Sequence, residues 1–207
     1  VLIVDCIQGT DEWWNAKLGI PSASNFDYII TPAKLDYSKS ATTYRNKLLA
    51  EQIRRKPDDG FQSDWMKRGH EVEEEARDWY GFKYDCNPQQ VGFCLHDSKR
   101  YGCSPDSLIN EDGGTEIKCP SPGVHVGYQL ANKLPTKHRL QVLGSLLVTG
   151  RDWWDFISYD PDMDKFVVRT YAKDVEEDLE TLRLALIRFC RDLDKQSDIL
   201  INRKEAA

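Results

Sequence analysis

Apolar positions along the chain recur at helical spacing in four stretches, with strand-like alternation between them. Tyr44, Leu48 and Ile53 share one face of a helix expected over about 41–55, with Ser40 as its N-cap. Val72, Ala76 and Trp79/Tyr80 point inward from a second helix around 66–80, and a third covers about 136–149. Leu179, Leu182, Leu186, Phe189 and Leu193 form an apolar stripe on a last helix over about 175–200, read as core packing. Strand character marks Gln90–Leu95, Tyr101–Cys103, Ser107–Ile109 and Thr115–Lys118; Trp153–Tyr159 and Phe166–Tyr171 read as a hairpin. Helices around a central mixed sheet predict an α/β (α+β) fold, and the absence of linkers and repeats predicts one domain over 1–207.

Composition narrows the class. Hydrophobic residues are 40% and charged residues 30% of 207, ordinary for a globular protein of this size. No apolar run approaches the ~18 residues of a membrane span, and Val1–Ile7 lacks the basic leader of a signal peptide. A soluble intracellular protein is therefore expected, with its six cysteines reduced and no Cys-x-x-Cys pair for zinc or redox chemistry. His70-Glu71 begins like a zincin motif, but Glu74 stands where the second His belongs. Asp160–Asp164 alternates like a calcium loop, yet Lys165 replaces the required Gly, so a hairpin loop is expected.

The net charge of −6 argues against a passive nucleic-acid binder. The excess is local: residues 71–120 hold 5 basic and 11 acidic groups, against 10 and 9 in 1–70 and 13 and 14 in 121–207. A carboxylate-rich middle fits either a solvated face or a site completed by a divalent metal. Within it, Asn110–Gly114 is a turn signal between two apolar pieces, so 104–120 reads as a β-hairpin. If Ile109 pairs with Thr115, Asp106 faces Lys118 and Leu108 faces Glu116, and Asp106, Glu116 and Lys118 converge on one face. A one-residue slip would separate them. Two carboxylates and a lysine suit metal-assisted phosphodiester hydrolysis, in which the lysine orients the water or helps deprotonate it.

Pro105-Asp106…Glu116-Ile117-Lys118 matches the PD-(D/E)xK nuclease signature, and its context resembles the phage lambda exonuclease family of viral recombination exonucleases. The resemblance runs in order through Gln8–Trp13, Lys17-Leu18-Gly19, Ser22-Ala23-Ser24, Gly69-x₃-Glu73-x₂-Ala76-Arg77, Cys103–Asp106, Glu116–Pro120, Gln141-Val142, Val148-Thr149 and Tyr159-Asp160-Pro161. It implies a restriction-endonuclease-like core with Asp106, Glu116 and the Ile117 carbonyl as metal ligands, and Glu73 serving a second metal. Lys118 takes the place of the water-activating lysine, and Gln141 that of a glutamine beside metals and nucleophile. Lys17, Ser22, Ser24 and Ser104 fall in the block that holds a DNA 5′-phosphate, with Ser24 capping a short helix over Asn25–Ile30. Lys17 replaces the usual family arginine and cannot make a bidentate fork. Arg54, Arg55, Lys56, Lys67 and Arg68 can track phosphates, and Trp65 or Met66 falls where such enzymes insert an apolar side chain at the duplex end.

The resemblance thus implies a Mg²⁺-dependent 5′→3′ exonuclease acting on double-stranded DNA ends, with two ions and Mn²⁺ as a substitute. It also implies a homotrimeric ring, a single-strand annealing protein as partner and a bacterial cytoplasm as the place of action. The alternatives are an endonuclease of the same superfamily and a non-catalytic DNA-end binder.

Overall fold

The computed structural model of the chain describes residues 1–56 and 64–205, and the side chains of 1–56 and 72–202. Its order is β1 (Leu2–Val4), α1 (Asp11–Lys17), a 3₁₀ helix (Ala23–Tyr28), α2 (Ala41–Arg54), α3 (Asp64–Tyr84), β2 (Phe93–Leu95), β3 (Gly102–Cys103), β4 (Ser107–Ile109) and β5 (Gly113–Lys118). There follow α4 (Pro122–Ala131), α5 (Thr136–Thr149), β6 (Trp153–Ser158), β7 (Phe166–Tyr171) and α6 (Glu176–Glu205). The expected α/β fold is present, with its strands in two sheets: an antiparallel β1-β2-β3 sheet and a mixed β4-β5-β6-β7 sheet. β5 and β6 run parallel, joined by the crossover through α4 and α5, while β6 and β7 form the expected hairpin.

Helix α5 lies at the centre of the main core, with Leu140, Val142, Leu143, Leu146 and Val148 all buried. The 3₁₀ helix presses on it at Gly144, where a Cβ would stand 2.7 Å from the Phe26 ring. Helix α6 buries Leu182, Leu186, Phe189 and Leu193 in that core, and Leu179 packs against it, as the stripe predicts. Helix α2 differs in one position: Leu49 is buried, while Ile53 is 59% exposed. Ser40 precedes α2 in helical backbone conformation and makes no side-chain cap, so it does not terminate the helix as expected.

Helix α3 is docked on the mixed sheet by a polar network. The Tyr80 hydroxyl donates to Asp155 Oδ2 at 2.5 Å, and Arg169 grips both oxygens of that buried carboxylate at 2.8 and 2.9 Å. Tyr159 donates to Glu75 at 2.6 Å from the end of β6. Glu73 lies seven residues before Tyr80, two turns away on the same side of α3, and is thereby turned toward β5.

The β4–β5 hairpin carries a corrected register. Ser107 pairs with Thr115 and Ile109 with Gly113, so Asp106 comes opposite Glu116 rather than Lys118, and Leu108 opposite Gly114 rather than Glu116. The strand extends back to Gly113 because the Trp153 and Trp154 rings lie over Gly113 and Gly114, where any Cβ would clash at about 2 Å. Arg151 Nη1 closes the turn by donating to the carbonyls of Ile109, Asn110 and Gly113 at 2.8–3.1 Å. The shift is two residues, one full pleat, so Asp106, Glu116 and Lys118 keep a common face.

Candidate active site

A cavity of about 220 Å³ opens beside the start of β4 and the end of β5. Its wall brings together Asp106, Glu116, Ile117 and Lys118 from the hairpin, Glu73 from α3 and Gln141 from α5. Lys17 from α1, Ser24 from the 3₁₀ helix and Ser104 line the same space. Of the residues expected there with described side chains, Ser22 alone does not join them. It is buried, its N–H donates to the Tyr44 hydroxyl at 3.2 Å, and its backbone bridges to Gly102. The side chains of Trp65, Met66, Lys67 and Arg68 lie outside the described residues, and those of Arg54, Arg55 and Lys56 are exposed.

The carboxylates are held before any ligand arrives. Asp106 Oδ2 accepts the Ile117 N–H at 2.5 Å, tying the first acidic residue across the hairpin to the second strand. Glu116 is fully buried; Lys118 donates to its Oε1, while Oε2 has no hydrogen-bond partner among the described residues. Arg77 joins two elements through one guanidinium. Its Nη2 meets Glu73 Oε1 at 3.0 Å, and its Nε reaches the Asp106 carbonyl at 3.3 Å and Ser107 Oγ at 3.2 Å.

Burial, reinforced by Asp106, pushes the Glu73 carboxyl above its usual range against the pull of Arg77 and Lys118. Glu116 is likewise raised by burial against the pull of Lys118. Burial works to depress Lys118, but Glu116, Asp106 and Glu73 outweigh it and hold the amine well above its ordinary value. Lys118 is therefore an ammonium in the protein by itself, which favours donation to the water or phosphate over proton abstraction.

These residues fit a hard divalent cation. An orphaned, buried carboxylate oxygen on Glu116 is costly unless something positive meets it, and Asp106 shares its face. Among the described residues no group of three or more His, Cys, Asp or Glu side chains is placed to hold a metal ion by itself. Mg²⁺ is commonly bound through one or two carboxylates plus waters and substrate phosphates, and Asp106 and Glu116 are such a pair.

The Lys17 side of the cavity is built from α1. Thr10 caps that helix through Trp13 N–H, and the Trp13 indole donates to Gly92 O at 3.0 Å and Ser104 Oγ at 2.9 Å. Ser104 accepts from the indole and so keeps its own proton for the cavity. Lys17 Nζ sits 4.0 Å from the centre of the Trp13 ring, and burial lowers its pKa to about 8 despite Glu51 nearby. Ser24 is no helix cap: the 3₁₀ helix starts at Ala23, leaving Ser24 in its first turn, exposed toward the cavity. The helix is as long as the expected 25–30 span but lies two residues earlier, ending at Tyr28.

Four contributors had no role assigned from sequence. Gln8 donates to Val91 O at 3.0 Å and Pro105 O at 2.8 Å, fixing the residue before Asp106. Trp13 orients Ser104, and Arg77 bridges Glu73 to Asp106; all three sit inside the family-like blocks, which is the signal that marked them. Ser145, one turn after Gln141 on α5, lines the cavity with a buried hydroxyl. Only its i,i+4 relation to Gln141 was visible in the sequence.

Residues 12–152 match the family of the YqaJ-like viral recombinase domain. None of the curated proteins matches the chain. Among solved structures, an alkaline exonuclease (LHK-Exo) from Laribacter hongkongensis is 28% identical, with a TM-score of 0.83 over 95% of this chain and 98% of that one. LHK-Exo in complex with dAMP gives a TM-score of 0.82 at the same identity and coverage. A phage related exonuclease from Haemophilus somnus 129PT shares the fold, with a TM-score of 0.59 and 13% identity over 86% of this chain and 96% of that one. The family match spans more than half of the sequence and encloses every cavity residue named above except Gln8, so the chain belongs to the YqaJ-like viral recombinase family.

Proposed function

We propose that this chain is a Mg²⁺-dependent 5′→3′ exonuclease that degrades one strand of linear double-stranded DNA. It releases mononucleotides and leaves a 3′ single-stranded tail for an annealing protein. Family and structural neighbours together support a nuclease. The carrying observation is that one cavity holds Asp106, Glu116, Lys118, Glu73 and Gln141 beside Lys17, Ser24 and Ser104. A neighbour 28% identical was solved with dAMP, a deoxynucleoside monophosphate of the kind this reaction releases.

Asp106, Glu116 and the Ile117 carbonyl would hold one metal ion and Glu73 would serve a second; such ions supply positive charge against the phosphate and acidify water when bound. The chain's own groups do the rest. Lys118, as an ammonium fixed by Glu116, donates toward the scissile phosphate and its attacking water, and the Gln141 amide orients that water. Lys17 and the hydroxyls of Ser24 and Ser104 hold a terminal 5′-phosphate, so the first internucleotide bond lies at the carboxylates. Gln8 and Arg77 keep Asp106 and Glu73 in place while this occurs.

The proposal includes a homotrimeric ring working in the cytoplasm of a bacterial host. A ring needs positive potential only along its channel, which suits a chain of net charge −6. Among the described residues no helix is long and apolar enough to cross a membrane.

Incubation with Mg²⁺ of linear and covalently closed circular duplexes of one sequence tests the reading. Digestion of the linear form alone is expected. Cutting of the closed circle would place the chain with endonucleases sharing this metal site. Binding of ends without hydrolysis would leave only an end-binding role.

A further inference from the structure

A second cavity, of about 360 Å³, lies between α6 and the β2–β3 turn and shares no wall with the catalytic one. On its helix side Arg183, Ile187, Cys190, Arg191 and Asp194 recur at steps of three and four, forming one face of α6. The turn is clamped to that face: Arg100 donates to Cys190 O at 3.1 Å and pairs with Asp194, and Cys190 Sγ reaches Arg100 O at 3.6 Å. Buried Tyr101 and Cys190, with half-buried Ile187, make an apolar floor.

The rim is cationic in a chain that is otherwise acidic. Three arginines face one carboxylate, Asp194. Arg183 spends Nε and Nη2 on Glu180, and among the described residues the exposed Arg191 has no ion pair. Arg183 and Arg191 are eight residues apart, so they stand about 12 Å from one another along the helix, with the apolar floor between them.

That pattern selects among anions. A phosphodiester strand brings charge but no apolar body to fill the floor, and a nucleobase needs an open aromatic face. Tyr101 offers none, being 3% exposed with His96 stacked on it at 4.6 Å and Phe26 against it edge-on. An extended peptide spans about 12 Å in three to four residues, which places two carboxylates on either side of one apolar side chain. We propose that this groove docks a short acidic segment of a partner protein. One apolar side chain of that segment seats on half-buried Ile187, the part of the floor open to it, and its carboxylates meet Arg191 and the Arg183 Nη1 that Glu180 does not engage.

Fluorescein-labelled Asp-Asp-Leu-Asp-Asp is the probe, titrated with the full chain and read by fluorescence anisotropy. Saturable binding is expected, weakening as salt rises. Replacing the central Leu of the probe with Ala should weaken it several-fold, a comparison that needs no protein variant. Arg191→Glu should weaken it about tenfold or more, since it turns one charge-assisted contact into a repulsion. Melting temperature and nuclease rate should stay at wild-type values, because Arg191 is exposed and remote from the catalytic cavity. The proposal fails if the Ala probe binds as well as the Leu probe, or if Arg191→Glu binds like wild type. It fails too if a single-stranded oligonucleotide displaces the probe from the groove. A change of sedimentation coefficient in Arg191→Glu would show a second copy of the chain there instead.

Discussion

Arg77→Ala removes a guanidinium that touches both the Glu73 carboxylate on α3 and the segment bearing Asp106. It deletes the 3.0 Å ion pair with Glu73 and the contacts at 3.3 and 3.2 Å with the Asp106 carbonyl and Ser107. A hydrogen bond to a charged partner contributes about 1.5–3 kcal/mol, and breaking a fully buried pair costs about 3–5 kcal/mol. The side chains here are 12% and 21% exposed, so the lower end applies, and a loss of about 2 kcal/mol is expected. For a chain of this size that lowers the melting temperature by about 4–8 °C. Loss of a group that orients metal ligands typically costs about 10–100-fold in metal affinity or activity, and the apparent Mg²⁺ affinity should fall within that range. Arg77→Lys restores the charge without the fork, so it should recover part of the stability and little of the Mg²⁺ affinity. Scanning calorimetry with a Mg²⁺ titration of the nuclease rate reads both quantities. Wild-type melting and wild-type Mg²⁺ dependence in Arg77→Ala would refute the idea that this side chain holds Glu73 and Asp106 together.

Lys118→Ala should slow cleavage by about 10²–10⁴-fold while DNA-end binding persists, as measured by single-turnover rates beside anisotropy. For Asp106→Ala we expect loss of both activity and Mg²⁺ binding; calorimetric binding equal to wild type would contradict its role as a ligand. Lys17 is charged below about pH 8 and neutral above it, because burial lowers its pKa. The preference for 5′-phosphorylated over 5′-hydroxyl ends, taken as a ratio of kcat/KM, should therefore be large at pH 7 and shrink toward pH 9. In Lys17→Ala the ratio should be small and flat across that range, and a full preference there would place phosphate recognition elsewhere.

The site was legible in sequence where its chemistry is local to one hairpin. Asp106, Glu116 and Lys118 lie within thirteen residues, and even an incorrect register left them on one face because the error was a whole pleat. The register itself was hidden because it depends on Trp153 and Trp154, some forty residues away, pressing on Gly113 and Gly114. The parallel β5–β6 pairing was hidden for the same reason: it is made only after the crossover closes. Helix α4 escaped notice because Pro122–Ala131 contains two glycines after its proline, which read as loop, and no charged residue to mark a polar face. Helix α1 is only seven residues long, too short for a periodic signal. Ser24 and Ser40 were misjudged as caps because the residue type was right while the backbone placed the helix start elsewhere or held it helical. Gln8 acts through backbone carbonyls, as does Arg77 in its reach to Asp106, and such contacts leave no trace in side-chain pattern.

Direction of digestion is the most direct test of the central claim. A linear duplex with 5′-phosphates, one strand labelled at its 5′ end and the other at its 3′ end, is digested with Mg²⁺ and the products are separated by size. The account predicts that the 5′ label leaves at once as a mononucleotide, while the 3′ label stays on a long single strand. Early release of the 3′ label, or labelled internal fragments in place of mononucleotides, would contradict it.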